Sequence, residues 1–524
     1  MRARTLAVGV VLGLVFTMPG AQTLRWASQG DVLTMDPHAQ NELLTNSVNG
    51  QVYETLVQRD PKLAIIAALA TEWEQATPTL WRVKLRPGVK FHDGAAFTAD
   101  DVVFSVRRAS DASSGIRSYG LAMGEPRKVD DLTVEFVLKA PNPIFLQHAS
   151  LVFIMNKAWS EKNKSEKPQD FKNKEDKFAA MNANGTGPFM LVSREPDVKT
   201  AFRRNPNWWG KMSGNLQEVV YQPIKSGATR TAALVSGQLD FVLDPAPQDL
   251  QRLRTHEATK VLDGPENRAL FIGMDQARDE LIGGNLKGKN PFKDVRVRQA
   301  LYHAVDIESI RRSLMRGQSQ PTGSILPSTL GSYNDPEFEK RLPFDVARAR
   351  ALLAEAGYPQ GFEVQLDCPN NRYINDENIC VALAAMWSQI GVKAKLNAQP
   401  RATYFPKLEK LDTSLYMLGW GGAITDAETT LTPIMRNRGE GGVGNFNVGN
   451  YKNARLDELA AASSVEADPV KREQLVKAAL REHNQQVHHI PLHRQVIPWA
   501  MRKGVDAVHR ADNWLEWAWI TAKR

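Results

Sequence analysis

The alternation of apolar and basic side chains at residues 80–86 is the clearest local pattern in this chain. Trp81 and every second residue after it are apolar, while arginine or lysine occupies the positions between, as in a strand with one buried face. A Pro-Gly dipeptide then ends the strand in a turn. Thr98, with Asp101 three residues later, predicts the capped start of an amphipathic helix. The stretch therefore predicts one strand–turn–helix unit of a globular core.

The same periodicities recur further along the chain. Residues 132–138 alternate again and predict an edge strand. Later patterns predict a helix over 344–358, a strand over 362–366, a helix over 379–390 and a strand over 392–398. This alternation of strands and helices indicates the α/β class with largely parallel strand pairing.

Length and composition are typical of a globular protein with more than one hydrophobic core. The chain has 524 residues, and a domain usually has about 100–200. Hydrophobic residues make up 42% of the sequence. The net charge of +8 is spread thinly, without the dense basic patch that nucleic-acid binding requires. We therefore expect no nucleic-acid partner.

Residues 1–21 have the three-part pattern of a secretory signal peptide. Arg2 and Arg4 form its charged start, residues 6–16 its apolar centre, and small residues its exit, so cleavage is expected before Gln22. The apolar run is too short to span a bilayer comfortably. No cysteine follows it that could carry a lipid. The pattern predicts a mature protein free in a periplasm, without a lipid anchor.

The chain contains two cysteines, Cys368 and Cys380. An exported chain enters an oxidising compartment, where a disulfide across this short loop is expected. The alternative is two separate buried thiols. The spacing fits no zinc motif and no CxxC redox pair.

Four segments carry a resemblance to one known family. Residues 88–105 resemble, without a gap, the GVKFHDG–FTADDVVFS signature of solute-binding proteins that serve peptide and nickel ABC importers. Residues 184–189 (NGTGPF), 205–210 (NPNWWG) and 295–306 (VRVRQALYHAVD) resemble later elements of that family, in the same order. From about Leu24 to its end, the chain is similar to extracytoplasmic solute-binding protein family 5, the peptide-, dipeptide- and nickel-binding components of ABC importers.

The resemblance implies a two-lobed periplasmic-binding-protein fold of type II, α/β in class, with mixed sheets flanked by helices and a cleft between the lobes. After the signal peptide, lobe I would comprise residues 22–44, 181–264 and 481–524. Residues 45–180 would form an extra subdomain of lobe I, and residues 265–480 would form lobe II.

The resemblance also implies candidate ligand-binding residues. Arg372 aligns with the arginine that binds a ligand carboxylate in dipeptide-binding relatives, and its alternative is an exposed loop arginine. Trp420 matches the cleft tryptophan of the family, and its alternative is a core tryptophan. Gly421, Gly422 and Ala423 would let backbone approach the ligand. Tyr119 is a further cleft candidate, with core or surface as its alternative.

One position departs from the family pattern. In peptide-binding relatives an aspartate three residues after the cleft tryptophan holds the ligand's α-ammonium, whereas this chain has Ala423. The nearest acids are Asp426 and Glu428. The departure argues against free-amine recognition, and so against ordinary peptides. A short or blocked peptide, or another carboxylated compound, fits both Arg372 and Ala423.

Other motifs in the sequence give only weak support to a different class of protein. Residues 439–444 spell GxGxxG, but loop composition follows them where a nucleotide-binding helix would begin. His483, His488, His489 and His493 could be read as a metal cluster, yet no carboxylate or cysteine completes the set, and adjacent strand residues point to opposite faces. No motif nominates a nucleophile with its base.

The sequence thus predicts a non-enzymatic, monomeric carrier that needs no cofactor and delivers a small molecule or short peptide to an inner-membrane permease. The alternatives are a metal-chelate or haem carrier of the same fold and, in another class, an exported hydrolase.

Overall fold

A computed structural model describes residues 22–170, 175–327, 335–370, 372–421, 424–440 and 443–523, with the side chain of residue 402 outside the description. The expected signal peptide, Gly422, Ala423 and part of the GxGxxG sequence lie outside these residues. Among the described residues, no helix combines the length and the apolar character needed to cross a bilayer.

The strands are β1 (Thr23–Ser28), β2 (Val57–Arg59), β3 (Ile65–Ala67), β4 (Ala70–Thr77), β5 (Leu80–Leu85), β6 (Glu125–Asp130), β7 (Thr133–Val137), β8 (Phe189–Glu195), β9 (Lys199–Arg204), β10 (Glu218–Pro223), β11 (Phe241–Leu243), β12 (Thr259–Met274), β13 (Ser319–Pro321), β14 (Phe362–Pro369), β15 (Val392–Gln399), β16 (Leu415–Gly421), β17 (His489–Arg502), β18 (Val505–Asp506) and β19 (Thr521–Ala522).

The α-helices are α1 (Leu43–Asn49), α2 (Ala99–Ala109), α3 (Arg117–Ala122), α4 (Phe145–Ala149), α5 (Lys157–Lys162), α6 (Phe178–Met181), α7 (Gly227–Ser236), α8 (Leu250–Thr255), α9 (Val295–His303), α10 (Ile307–Ser309), α11 (Pro336–Glu339), α12 (Val346–Glu355), α13 (Asp376–Ser388), α14 (Arg401–Glu409), α15 (Glu428–Thr430), α16 (Ala454–Val465) and α17 (Pro469–Gln486).

The strand–turn–helix unit predicted near the N-terminus is confirmed as β5 and α2. The backbone N–H of Thr98 donates to the Asp101 carboxylate over 2.9 Å, which is one half of a capping box. The apolar side of α2 packs on a four-stranded sheet of order β4-β5-β7-β6. In that sheet β7 lies between β5 and β6, so the prediction of an edge strand at residues 132–138 was wrong. Alternation of apolar and polar residues shows only that one face of a strand is buried, and this is true of inner strands and edge strands alike.

The largest sheet in the described part of the chain is mixed, with the strand order β15-β14-β16-β12-β17-β11-β1-β10-β9-β8. Its two ends contain parallel pairs: β14 is parallel to β15 and β16, and β1 is parallel to β10 and β11. These pairs agree with the parallel pairing predicted from the alternation of strands and helices. Antiparallel strands join the two ends, so the sheet as a whole is less parallel than the sequence suggested.

Two long strands form the join. β12 and β17 pair antiparallel from Thr259 opposite Arg502 to Gly273 opposite His489. The register shifts between Pro265 and Ala269, so the ladder is irregular midway along both strands. We call these strands the crossover strands. Any ligand bound beside the shift would contact both halves of the sheet.

The buried side chains form separate cores on either side of this join. The first core surrounds Trp26, Trp499 and Trp517, and the second surrounds Leu270 and Trp387. A third core is built on the four-stranded sheet and contains the apolar residues of β5, α2 and β7. The C-terminal chain contributes to both of the first two cores.

The predicted lobe boundaries remain a prediction, and the packing bears on one of them. Val487, Ile490 and Leu492 belong to the second core, although the expected boundary placed residues 481–524 in lobe I. The first core receives β17 only from Ile497 onward. The packing therefore favours a boundary near Arg494 over one at 481.

Candidate ligand-binding cleft

Arg372 lies in a short loop between β14 and α13. The carboxylate of Asp376 accepts the backbone N–H groups of Arg372 and Tyr373 over 2.9 and 3.0 Å. A disulfide joins Cys368, near the end of β14, to Cys380 in α13, with Cα atoms 6.6 Å apart. The loop is therefore held at its centre by a carboxylate and across its base by a covalent bond.

Tyr373 ties this loop to the strand that carries Trp420. Its hydroxyl accepts the N–H of Gly419 over 2.8 Å and donates to the carbonyl oxygen of Gly419 over 3.2 Å. A Cβ on Gly419 would lie 2.6 Å from the Tyr373 ring, so only glycine allows this contact. The tertiary structure thus brings Arg372 and Trp420 to the same end of neighbouring strands.

The guanidinium of Arg372 lies over the Tyr373 ring, with its Cζ atom 5.1 Å from the ring centroid. Burial, followed by the nearby positive charge of Arg268, lowers the pKa of Arg372 below its usual value. In the described part of the chain, no residue forms a hydrogen bond or ion pair with this guanidinium. Arg372 is consequently a half-buried cation with its donors unused, and it differs from a solvated loop arginine.

Trp420 is half-buried, and its indole N–H donates to the carbonyl oxygen of Thr429 over 2.6 Å. Its ring centroid lies 4.8 Å from that of Phe446. Gly421 pairs with Arg268 of β12, and a Cβ there would lie 2.0 Å from the carbonyl oxygen of Asn267. The small size of Gly421 therefore permits close strand packing, and its expected contact with a ligand stays a prediction.

Tyr119 lies in α3, on the wall of the four-stranded-sheet region. Its hydroxyl accepts an N–H from the Asn41 amide over 3.2 Å, and its ring stacks on His148 with centroids 6.1 Å apart. Burial lowers the pKa of His148 to about 4, and the negative charge of Asp426 opposes that shift. Tyr119 therefore packs against His148, and its place in the cleft stays a prediction.

The two acids nearest the Ala423 position are already engaged. Asp426 forms a two-pronged salt bridge with Arg472, with N–O distances of 2.8 and 2.7 Å. One oxygen of Glu428 accepts from the Thr432 hydroxyl over 2.5 Å, and burial raises the pKa of Glu428 to about 7. Neither acid stands in for the missing aspartate in this arrangement.

Sequence reasoning missed a polar group on the crossover strands. Glu266 accepts from Arg268 Nε over 2.8 Å and from the Gln495 amide over 2.6 Å. The amide oxygen of Gln495 in turn accepts the backbone N–H of Ile374, over 3.4 Å, in the loop that carries Arg372. The available signal was the triplet Glu-Asn-Arg at 266–268, which directly precedes the apolar run of residues 269–274.

Asp244 is a further acidic residue near the polar group formed by Glu266, Arg268 and Gln495. It follows β11 with a φ of 54°, in the left-handed region, and it accepts from the Asn513 amide over 3.4 Å. Burial, together with the charge of Glu266, raises the pKa of Asp244 to about 6, whereas Arg230 and Arg372 oppose that rise. Acids and arginines from distant parts of the chain therefore share one partly buried site.

The C-terminal histidines are packed in the interior. His483 Nε2 lies 2.9 Å from His489 Nδ1, and His488 stacks on Tyr451 with ring centroids 3.8 Å apart. Within the described residues, no group of three or more histidine, cysteine or acidic side chains has the geometry of a metal site. Burial lowers the pKa of His483 to about 4, so these rings are neutral packing groups near neutral pH.

Comparison with known proteins places this geometry in a family. Residues 64–442 match the model for bacterial extracellular solute-binding proteins, family 5. The chain is 30% identical to the heme-binding protein A of Haemophilus influenzae over 84% of this chain and 81% of that protein. It is 27% identical to a glutathione-binding protein of Pectobacterium atrosepticum, over 90% of this chain and 89% of that protein.

Its fold is similar to that of a dipeptide-binding protein from a Pseudoalteromonas species in complex with Met-Leu, with a TM-score of 0.80, 23% identity and coverage of 96% and 100% of the two chains. The fold is accordingly the two-lobed α/β fold of periplasmic binding proteins. This chain belongs to the bacterial extracellular solute-binding proteins, family 5. Its relatives are binding proteins rather than enzymes.

Proposed function

We propose that this chain is the periplasmic substrate-binding component of an ABC importer and that it binds a small peptide-like or carboxylate-bearing solute. The observation that carries the proposal is the half-buried guanidinium of Arg372, which has no hydrogen-bond or ion-pair partner among the described residues and lies at the same strand end as the half-buried Trp420. A planar guanidinium pairs with a carboxylate through two parallel hydrogen bonds and keeps its charge at all ordinary pH values. An indole face next to it suits an apolar part of the same solute.

Closure of two lobes around the solute would bury it. The first and third cores would form one lobe and the second core the other, with the crossover strands between them. The register shift between Pro265 and Ala269 marks a place where these strands can bend with little loss of ladder hydrogen bonds. The solute stabilises the closed state because it binds that state more tightly.

The chemistry at the other end of the solute follows from the acids near Trp420. Asp426 is neutralised by Arg472, and Glu428 is held by Thr432 with a raised pKa. The second oxygen of Glu428 is buried and has no hydrogen-bond partner among the described residues, but burial raises the pKa of this acid to about 7, so it is a weaker acceptor for an α-ammonium than an ordinary aspartate. A blocked or modified peptide, or another carboxylated compound, fits this site better than an ordinary dipeptide does.

Export, partner and oligomeric state complete the proposal. The mature protein would begin at Gln22, move freely in the periplasm as a monomer, and hand its solute unaltered to an inner-membrane permease. Protein secreted by its own host would then have the intact mass of residues 22–524. A mass that includes the leader or a lipid would contradict this form of export.

Native mass spectrometry of protein purified without denaturation tests the binding function, because such carriers retain cargo. We expect a bound compound with the mass of a short, modified peptide or of another small carboxylated compound. Protein freed of cargo would be titrated with Met-Leu, glutathione and haem while melting temperature and small-angle scattering are recorded. A rise in melting temperature with a more compact scattering curve supports solute binding by closure.

The same experiment separates the alternatives. Haem binding alone, with its visible absorption, would favour the haem-carrier alternative, for which the Haemophilus relative is the specific observation. Chemical change in any compound of the panel would favour the hydrolase. The binding proposal would fail if the protein retained no cargo and no compound altered its melting or its scattering.

A further inference from the structure

Arg268 is the buried arginine of the cleft that sequence reasoning did not find. It lies in β12, opposite Gly421 in β16, and its side chain is 7% exposed. Gly421 follows Trp420 directly, and Tyr373 ties the Arg372 loop to Gly419. Arg268 and Arg372 therefore approach the same strand end from two sides, one from the crossover strand and one from the loop.

Most of the hydrogen-bonding capacity of Arg268 is unused. A guanidinium carries five N–H donors, and here only Nε has a partner, the carboxylate of Glu266. Within the described residues, neither terminal nitrogen of Arg268 donates to a protein group, and the whole guanidinium of Arg372 is likewise without a partner. None of these nitrogens is a fully buried atom without a partner, so the unused donors of both arginines remain accessible to an anion that enters from solvent.

The charges around the two arginines support the same conclusion. The positive charge of Arg268 is, after burial, the largest influence that lowers the pKa of Arg372. Burial also opposes the charge of Arg268, but Glu266 and Asp244 outweigh it, and the pKa of Arg268 is raised. Glu266, Asp244 and Glu42 are the acids that act on the pair, and of these only Glu266 hydrogen-bonds either arginine.

We infer that Arg268 is a second anion-binding residue and that its guanidinium and that of Arg372 together hold one anionic oxygen group of the solute. This inference rests on the proposed solute-binding function and specifies which residues meet the anionic end. The group is a carboxylate or another oxyanion of similar size. Since Arg268 lies within the register shift of the crossover strands, the bound anion contacts the predicted hinge directly.

Small anions provide a probe that does not depend on knowing the cargo. Cargo-free protein would be titrated with acetate and with inorganic phosphate by calorimetry, at constant ionic strength in chloride. We expect saturable binding of at least one anion, weakened tenfold or more in both Arg268→Gln and Arg372→Gln. The anion that binds more tightly identifies a carboxylate or a phosphate-like group as the one recognised.

Three further variants make the test specific. Arg348→Gln removes an exposed guanidinium from α12 and should leave anion binding unchanged. Glu266→Gln keeps hydrogen-bonding groups beside Arg268 but removes a negative charge, so anion binding should tighten several-fold, which a purely structural role for Arg268 would not produce. If Arg268→Gln does not fold, Arg268→Lys tests the same point, because it keeps one charge but loses the forked donors.

Absence of saturable anion binding to the wild-type protein would overturn the inference, as would equal binding by wild-type protein and a folded Arg268 variant. Either result is separate from failure of the proposed function. A protein that retains cargo in native mass spectrometry but ignores the Arg268 change still binds solutes, through Arg372 alone.

Discussion

Tyr373 holds the two candidate ligand-binding residues in one place. Its hydroxyl makes both hydrogen bonds to Gly419, and its ring supports the guanidinium of Arg372. It therefore acts as a positioning residue, which changes binding through the residues on either side of it.

Tyr373→Phe removes both hydrogen bonds and leaves the N–H and carbonyl of Gly419 unsatisfied. We expect the free energy of unfolding in urea to fall by about 1–3 kcal/mol, and cargo retention to fall with it. Tyr358→Phe is the matched control, because the Tyr358 hydroxyl has no hydrogen-bond partner among the described residues. Equal stability of the two variants would show that the contact with Gly419 contributes nothing.

Arg372→Met removes the charge from the site while keeping an unbranched side chain. Loss of a charged hydrogen-bonded pair should weaken solute binding by about 1.5–3 kcal/mol. The fraction of molecules carrying cargo in native mass spectrometry, measured after dilution, reports the loss. Undiminished occupancy at all dilutions would exclude Arg372 from the site.

At the scale of elements, the loop between β14 and α13 shows how a binding loop is kept rigid. Asp376 accepts two backbone N–H groups of the loop, and the disulfide closes the loop at its base. Burial raises the pKa of Asp376, while the backbone N–H donors oppose that rise. On the proposed function, Arg372 would meet a solute without first ordering its own backbone, which would reduce the entropic cost of binding.

Replacing both cysteines, Cys368→Ala with Cys380→Ala, should lower the free energy of unfolding by about 3 kcal/mol on the chain-entropy model. Urea unfolding with and without reductant measures this loss. Reductant should destabilise the wild-type protein to a similar extent and leave the double variant unaffected. A reductant effect on the double variant would show that the destabilisation has another source.

At the scale of the whole molecule, buried neutral histidines make stability depend on pH. Burial, followed by the positive charge of Arg341, lowers the pKa of His493 to about 3. Neither ring nitrogen of His493 has a hydrogen-bond partner in the described part of the chain. Between pH 6.5 and about 3 the unfolded imidazole binds a proton that the folded one does not, so stability is lost as the pH falls through this range.

His493→Met should therefore flatten the fall in unfolding free energy between pH 7 and pH 4. One proton of difference corresponds to about 1.4 kcal/mol per pH unit. Urea unfolding of both proteins across this range gives the two slopes. The difference between the two slopes is the quantity to compare. Glu54 and Glu428, with pKa values raised to about 7, add a slope of opposite sign, and they add it equally to both proteins. Parallel curves would contradict a neutral buried His493.

Local elements could be predicted well from the chain alone. The β5–α2 unit and its Thr98–Asp101 cap follow from spacing of two to four residues, which side-chain periodicity reports directly. Parallel pairing, as in β14 and β15, was predicted from the alternation of strands with helices. The position of β7 inside its sheet could not be predicted this way, because alternation shows that a strand has one buried face and carries no information about its neighbours.

The residues of the candidate site also fall into two groups, those that the sequence could nominate and those that it could not. Arg372 and Trp420 could be nominated from the sequence because short motifs surround them. Glu266, Arg268 and Gln495 could not, since no family motif surrounds them and the contact of Glu266 with Gln495 joins segments far apart in the chain. Asp244 likewise reaches the site only because β11 lies next to β17 in the sheet.

By itself the sequence determined where strands and helices form, which residues cap them, and the motifs that mark a solute-binding family, since all of these depend on neighbouring residues. Only the tertiary structure decided that two arginines share the cleft and that one of them lies on a crossover strand. The physical reason is that charge proximity and unused donors arise from packing between distant segments, and nothing within a single segment encodes them.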